Sequence, residues 1–195
     1  NGLAASDMGT RVHRLCELHC NGADPKDDPE FAGGISDHEM KLWDQYFEFR
    51  RDHVQWEPYR CEWSVFCDEA RVAGQIDSLF RDAATGELIM VDWKCCKDPL
   101  LTPEQEREQG PLPRYAKFGK APFGRVRDTS YGHYCVQQNL YRHIVEKHYG
   151  LKIAGMYLVQ FAKTQKSYRK VEVTDLRDEV AQVMTERAQQ VEAPS

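Results

Sequence analysis

Two apolar segments joined by a short turn constrain the fold of this chain most. Residues 72–80 and 87–94 are short and rich in apolar side chains, and residues 82–86 between them have the composition of a turn. This pattern predicts two antiparallel strands connected as a hairpin. The hairpin fixes which side chains can meet, because the register of an antiparallel pair follows from the centre of its turn.

The predicted register brings charged side chains together. If the turn is centred between Ala84 and Thr85, Asp77 pairs directly with Asp92. Opposed residues have Cβ atoms about 4.5–5.5 Å apart, and like charges at that distance repel each other, so we expect a positive group between them. Alternation along the strand places Lys94 on the same face as Asp92. The sequence therefore predicts two carboxylates and an amine at one point.

An acid two residues before a lysine is weak evidence when it stands alone. Two further examples occur here, Asp24-Pro25-Lys26 and Glu39-Met40-Lys41, but neither ends a buried strand. The Asp92-Trp93-Lys94 string follows an apolar run, and this context favours a functional pair. A salt bridge at the surface end of a strand is the structural alternative.

Composition indicates an ordinary soluble globular protein. The chain has 195 residues, 41% of them hydrophobic and 29% charged, which suits one domain spanning residues 1–195. The sequence does not begin with Met and can be a piece of a longer polypeptide. It has no apolar stretch near the roughly 20 residues needed to cross a bilayer, and residues 1–6 do not resemble a signal peptide. We therefore expect an intracellular protein without a membrane partner.

Cysteine usage favours reduced thiols. Seven cysteines are an odd number, in a chain too large to need disulfide bonds for stability. His13, Cys16 and Cys20 share one predicted helix and could offer zinc ligands. No C-x-x-C pair is present to complete a structural site, so we do not expect zinc there.

The element order predicts an α/β fold with a mixed central β-sheet flanked by helices. Ser36-x-x-Glu39 is a capping box that starts the second helix, which carries Met40, Trp43, Tyr46 and Phe47 at helical spacing. We expect the three aromatics of this set in the core. Residues 95–129 show no clear period, and loops of that length are usually functional or disordered. We predict helices from residue 6 or 7 to residue 20, from residue 36 onward, at residues 131–149 and after Asp175. We predict strands at residues 59–66, 72–80, 87–94, 153–161 and 168–173.

A basic segment lies within the long aperiodic stretch. The net charge of −5 argues against an overall electrostatic attraction to nucleic acid, so the local distribution of charge matters more. Residues 114–127 contain no acids, and their basic and aromatic side chains alternate in a way that suits phosphate contact and base stacking. A solvated basic loop with its aromatics packed on the core is the alternative. The side chains are Arg114, Lys117, Lys120, Arg125 and Arg127, with Tyr115, Phe118 and Phe123.

Four short motifs, in order along most of the chain, resemble the PD-(D/E)XK nuclease superfamily, in particular its RecB-type and lambda-exonuclease-like branch. Each motif is weak alone, but all four fall on the expected predicted elements. Iron–sulfur members of the branch carry a late cysteine trio, whereas here no cysteine follows Cys135, so we expect no cluster. The motifs are Gly9-Thr10-Arg11-Val12-His13, Gly74-Gln75-Ile76-Asp77, Asp92-Trp93-Lys94 and Gln137-Gln138-Asn139-Leu140-Tyr141.

The resemblance implies a restriction-endonuclease-like core and a metal centre. It implies that His13, Asp77, Asp92 and the backbone carbonyl of Trp93 hold Mg²⁺ or Mn²⁺, and that Lys94 supplies positive charge during catalysis.

Three further positions have two interpretations each. Glu62 matches an acid found in some branches, although a partly exposed strand glutamate is the alternative. Gln137 and Tyr141 correspond to residues that support the site and contact substrate, or they form a polar pair inside the core.

The resulting functional hypothesis is a metal-dependent deoxyribonuclease that binds single- or double-stranded DNA, most consistent with an exonuclease of DNA repair or recombination. An RNA endonuclease of the cap-snatching type is a second hypothesis, because such enzymes use a similar arrangement of His, acids and Lys. A nucleic-acid-binding module that has lost catalysis is the third. Oligomeric state and digestion polarity stay open.

Overall fold

The computed structural model describes residues 2–112 and 114–192, with side chains described from Gly9 onward. Two short 3-10 helices, Pro25–Asp27 and Pro29–Phe31, lie between the first two α-helices. The main elements are α1 (Gly2–Cys20), α2 (Asp37–Asp52), β1 (Trp56–Cys67), β2 (Val72–Asp82), β3 (Leu88–Cys95), α3 (Pro103–Glu108), α4 (Ser130–His148), β4 (Ile153–Phe161), β5 (Arg169–Glu172) and α5 (Arg177–Glu192).

The five strands form one mixed sheet in the order β1-β2-β3-β4-β5. Only β3 and β4 run parallel, and the other neighbours are antiparallel. A parallel pair needs a long crossover, which here contains α4. The predicted α/β class with a mixed, helix-flanked sheet is confirmed, and the architecture is consistent with a restriction-endonuclease-like fold.

The central strand β3 divides the core into two layers. Met90 packs in the layer that includes Ile144 of α4, whereas Val91 packs in the opposite layer with Tyr46 of α2. Residues 88–93 of β3 are all buried, as expected for a strand covered by helices on both faces. The strand β3 therefore lies between helices on both faces of the sheet.

Helix α2 begins as predicted. The Ser36 side chain accepts from the Glu39 N–H and the Glu39 carboxylate accepts from the Ser36 N–H, which completes the capping box. The predicted aromatics lie in the core, since Tyr46 is fully buried and Trp43 and Phe47 pack against the same cluster. Met40 is 37% exposed, and Phe49 is fully buried in addition to the predicted residues.

The stretch at 95–129 contains more structure than predicted. Helix α3 begins at Pro103, and the Thr102 and Gln105 side chains form a second capping box. Its six residues are too few to show a hydrophobic period. Farther along, Phe118 bridges Arg127, so the basic segment is an ordered loop.

Within the described residues, no helix combines the length and apolar character needed to span a membrane.

Candidate active site

The hairpin register places the two aspartates as predicted. Ser78 pairs with Val91 in the antiparallel ladder, so Asp77 lies opposite Asp92 one step further along. At that step the ladder changes: the Trp93 N–H donates to Asp77 Oδ2 at 2.8 Å. The carboxylate replaces a backbone acceptor, which holds it against the end of β3.

A third carboxylate continues the row onto the neighbouring strand. Cys61 of β1 pairs with Ser78, so Glu62 lies opposite Asp77 on the side away from Asp92. Glu62 has a φ of 46°, in the left-handed region that non-glycine residues seldom occupy. Such strain in a strand commonly redirects a side chain, and here it accompanies a cluster of acids on β1, β2 and β3.

Helix α1 brings an imidazole to this row. Val12 and Cys16 are fully buried against the sheet, and their packing sets the orientation of His13 between them. His13 Nδ1 lies 3.6 Å from Asp77 Oδ2. Ligand atoms of His13, Glu62 and Asp77 all lie within 4.8 Å of one another, close enough to share one metal ion.

Asp92 has different partners from Asp77. Its Oδ2 lies 2.5 Å from Lys94 Nζ, and its Oδ1 accepts from Gln138 Nε2 at 2.9 Å. Lys94 Nζ also lies 4.3 Å from the centroid of the Tyr134 ring. The predicted aspartate–lysine pair is therefore present, with Asp92 held between β3 and α4.

Burial and mutual repulsion make the acids weak. Burial, with a further contribution from the charge of Asp77, raises the pKa of Glu62 to about 7 and that of Asp92 to about 7. Burial also raises the pKa of Asp77 to about 6, although Lys94 and the Trp93 N–H oppose the shift. Burial opposes the charge of Lys94, but the carboxylates of Asp92 and Asp77 outweigh it and raise the pKa of the amine.

The imidazole is suited to act as a neutral ligand. Burial, and next the charge of Lys94, lower the pKa of His13, while Asp92 and a backbone hydrogen bond with Trp93 act in the opposite direction. An unprotonated nitrogen, three crowded carboxylates and the Trp93 backbone thus converge at one place. The donor set fits a divalent cation, which would relieve the repulsion between the acids.

Two consecutive glutamines of α4 have separate tasks. Gln137 Nε2 donates to the Tyr141 hydroxyl at 3.0 Å, whereas the neighbouring Gln138 contacts Asp92. The motif resemblance selected Gln137 and missed Gln138. Gln138 lies on the buried stripe of α4 with Cys135 and Arg142, at spacings of three and four, but packing of the helix on the sheet decides which glutamine faces Asp92.

Tyr141 explains the glycine before Asp77. A Cβ on Gly74 would lie 2.0 Å from Tyr141 Cε1, because the ring packs directly on the backbone of β2. Gly74 therefore permits α4 to approach the hairpin, which also brings Gln138 to Asp92.

The basic segment separates into two parts. Arg125 pairs with Glu179, and Arg127 Nη1 lies 2.8 Å from Glu106 Oε2. These two arginines are thus engaged in ion pairs within the chain.

The other basic side chains of the segment face solvent. Arg114, Lys117 and Lys120 are exposed, beside Tyr115, which is 84% exposed, and Phe118, which is 46% exposed. Phe123, by contrast, is partly buried and packs against the core, as the alternative interpretation expects.

Comparisons with known proteins place the fold. No family model matches the sequence, and no curated protein matches it. Among solved structures, a crystal structure from Eubacterium rectale that carries the name "Putative exonuclease" is similar, with a TM-score of 0.53 and 14% identity. The match covers 94% of this chain and 67% of that one. At this identity the likeness shows a shared fold over nearly the whole chain.

Proposed function

We propose that this protein is a metal-dependent nuclease that hydrolyses phosphodiester bonds of DNA, acting as an exonuclease. One observation carries the proposal: Glu62, Asp77 and Asp92 occupy adjacent positions on three strands, with His13 and Lys94 beside them. Lys94 and the Trp93 N–H compensate only part of the repulsion among these three acids, and a divalent ion would compensate the rest.

The proposed metal ligands are His13, Asp77 and Glu62, with Asp92 and the carbonyl of Trp93 completing the set. Oxygen ligands with one imidazole fit Mg²⁺ or Mn²⁺, and the imidazole favours Mn²⁺. A bound ion would polarise the scissile phosphodiester and make an adjacent water more acidic.

The side chains around the metal ligands have distinct tasks in this proposal. Lys94 keeps its positive charge beside Asp92 and stabilises the negative charge that develops on the phosphoryl oxygens. Gln138 and Lys94 fix both oxygens of Asp92, so the carboxylate keeps one orientation during the reaction. The Tyr134 ring covers Lys94 Nζ on one side.

The basic loop at 114–127 is the proposed contact for the nucleic acid. Exposed Lys117 and Lys120 can neutralise phosphates, and Tyr115 and Phe118 can stack on bases. In this proposal Arg125 and Arg127 contribute less to nucleic-acid binding than the exposed lysines, because a phosphate would have to compete with the carboxylates that already pair with them.

The exonuclease preference has two supports. The sequence motifs resemble a branch that contains exonucleases, and the structurally similar Eubacterium rectale protein carries that name. The decisive experiment is time-resolved digestion of end-labelled linear DNA and closed circular DNA with Mn²⁺. Release of label with circles left intact supports the proposal, whereas rapid cutting of circles identifies an endonuclease.

The same assay with other substrates tests the two alternative hypotheses, an RNA endonuclease and a binding module without catalysis. Single-stranded RNA of the same sequence, if cut faster than either DNA form, favours the RNA endonuclease. If the wild-type protein binds DNA and Mn²⁺ but cleaves nothing, it is a binding module. The Lys94→Ala variant is the control for a contaminating nuclease, since loss of the amine should slow cleavage by this protein and would not affect a contaminant.

A further inference from the structure

A second cluster of metal-ligating side chains lies at the turn between β1 and β2. Cys67 ends β1, Glu69 lies in the turn, and His148 ends α4. One ligand atom from each lies within 4.8 Å of the other two. None of the three residues belongs to the cluster of His13, Glu62 and Asp77.

Two contacts favour a cation at this cluster. Cys67 is 3% exposed, and its sulfur donates to Glu69 Oε2 at 3.2 Å, so a proton occupies the space between two ligand atoms. His148 Nε2 is buried without a hydrogen-bond partner, 3.7 Å from Glu69 Oε2. Burial raises the pKa of the Cys67 thiol, and the Ala70 N–H, which donates to the same sulfur, acts in the opposite direction, so the metal-free thiol holds its proton.

We propose that Cys67, Glu69 and His148 bind one Zn²⁺ ion, with the fourth position open to water. Thiolate, imidazole and carboxylate together are the ligands that Zn²⁺ prefers, and a thiolate disfavours Mg²⁺ and Mn²⁺. On binding, the thiol proton of Cys67 is released to solvent, and the ion replaces the hydrogen bond between the sulfur and Glu69. One thiolate and one carboxylate then balance the charge of the ion.

The site would join two parts of the fold that meet at the active site. His148 belongs to the last turn of α4, and the same helix carries Gln138, which contacts Asp92. Zn²⁺ at Cys67 and Glu69 would connect this end of α4 to the turn between β1 and β2, and β2 carries Asp77. We therefore expect stoichiometric Zn²⁺ to raise the melting temperature of the metal-free protein.

Cobalt substitution tests the site directly. Co²⁺ added to the metal-free protein should give a thiolate-to-cobalt charge-transfer absorption band at one equivalent, and Zn²⁺ should abolish it. The proposed active-site ligands include no thiolate, so they cannot give the band, and the variants identify the thiol that does. Cys67→Ser should remove the band, and His148→Gln should weaken Co²⁺ binding at least 10-fold.

Two controls make the result decisive. Cys61→Ser changes a thiol on the same strand and should leave the band unchanged, and Glu62→Gln should leave it unchanged while weakening Mn²⁺ binding. A band that persists in Cys67→Ser, or the absence of any band in wild-type protein whose thiols are fully reduced, overturns the proposal. Neither result depends on nuclease activity, so failure here is distinguishable from failure of the proposed function.

Discussion

Asp77 and Asp92 lie opposite each other but have different surroundings. Asp77 shares a ligand cluster with His13 and Glu62, while Asp92 contacts Lys94 and Gln138. Replacement of these side chains should therefore have separable effects on metal binding and on the chemical step.

Lys94→Ala should leave Mn²⁺ affinity nearly unchanged and slow the single-turnover rate by about 100-fold or more, because the amine acts on developing charge. Asp77→Asn should weaken Mn²⁺ binding itself, because it removes a central ligand. Isothermal titration and single-turnover cleavage on the same preparations separate the two effects. Equal loss of Mn²⁺ affinity in both variants would contradict the assigned roles.

Gly74→Ala should destabilise the protein by about 1–3 kcal/mol, because the new Cβ would meet the Tyr141 ring at 2.0 Å and force α4 away from β2. Urea denaturation measures the change. Gly124→Ala is the matched control, since a Cβ there meets nothing within 4 Å. Equal stability of the two variants would mean that the close approach is not required.

Helix α2 ends on a histidine that couples the helix to β5. His53 Nδ1 donates to the Phe49 carbonyl at 2.9 Å, and its Nε2 accepts from Lys170 Nζ at 2.7 Å. The contact with Lys170 needs the neutral ring, whereas Nδ1 can donate to the Phe49 carbonyl in either protonation state. Burial lowers the pKa of His53; the hydrogen bond to Phe49 opposes this shift, and the charge of Lys170 acts in the same direction as burial.

The contribution of His53 to stability should consequently fall as the pH is lowered, while the raised pKa values of Glu62, Asp77 and Asp92 act in the opposite direction over the same range. Below about pH 6.5 the unfolded chain binds a proton that folded His53 does not, so the contribution of this residue to the free energy of unfolding falls by up to about 1.4 kcal/mol per pH unit until the folded ring titrates. Between pH 7.5 and 5.5, urea denaturation should show a change in stability that is more favourable for His53→Gln than for wild type. His38→Gln, at the exposed start of the same helix, should behave like wild type.

The basic loop makes a prediction at the scale of one element. Lys117→Ala combined with Lys120→Ala should weaken DNA binding and lower the slope of log K against log salt by roughly one per lost phosphate contact. Lys152→Ala, exposed after α4, is the control and should leave the slope unchanged. Fluorescence anisotropy at several salt concentrations is the measurement. An unchanged slope in the double variant would remove this loop from the interface.

At the scale of the whole molecule, the sequence predicted local relationships better than distant ones. The register of Asp77 against Asp92 follows from a short turn, and turn centres can be read from composition. The ion pair of Arg125 with Glu179 joins residues 54 positions apart, so no local pattern indicates it. The choice between Gln137 and Gln138 depends on how α4 rotates against the sheet, which packing decides.

The acids proposed to bind the metal ion also lower the stability of the metal-free protein. Buried carboxylates that repel one another cost free energy in the metal-free fold, and an ion that binds only the folded state restores it. Repulsion between the acids should therefore lower the free energy of unfolding of the metal-free protein. Mn²⁺ at 100 times its dissociation constant should raise that free energy by about 2.7 kcal/mol.

Glu62→Gln tests this effect, because it removes one charge from the cluster and keeps the shape of the side chain. The metal-free variant should be more stable than wild type by roughly 0.5–2 kcal/mol, and Mn²⁺ should stabilise it less. Glu57→Gln, at an exposed position of the same strand, should match wild type in both respects. Thermal denaturation of wild type and both variants, with and without Mn²⁺, measures the six combinations. If Glu62→Gln lowered the stability of the metal-free protein, Glu62 would be a structural residue of β1, and the metal would be held by the ligands of α1, β2 and β3 without it.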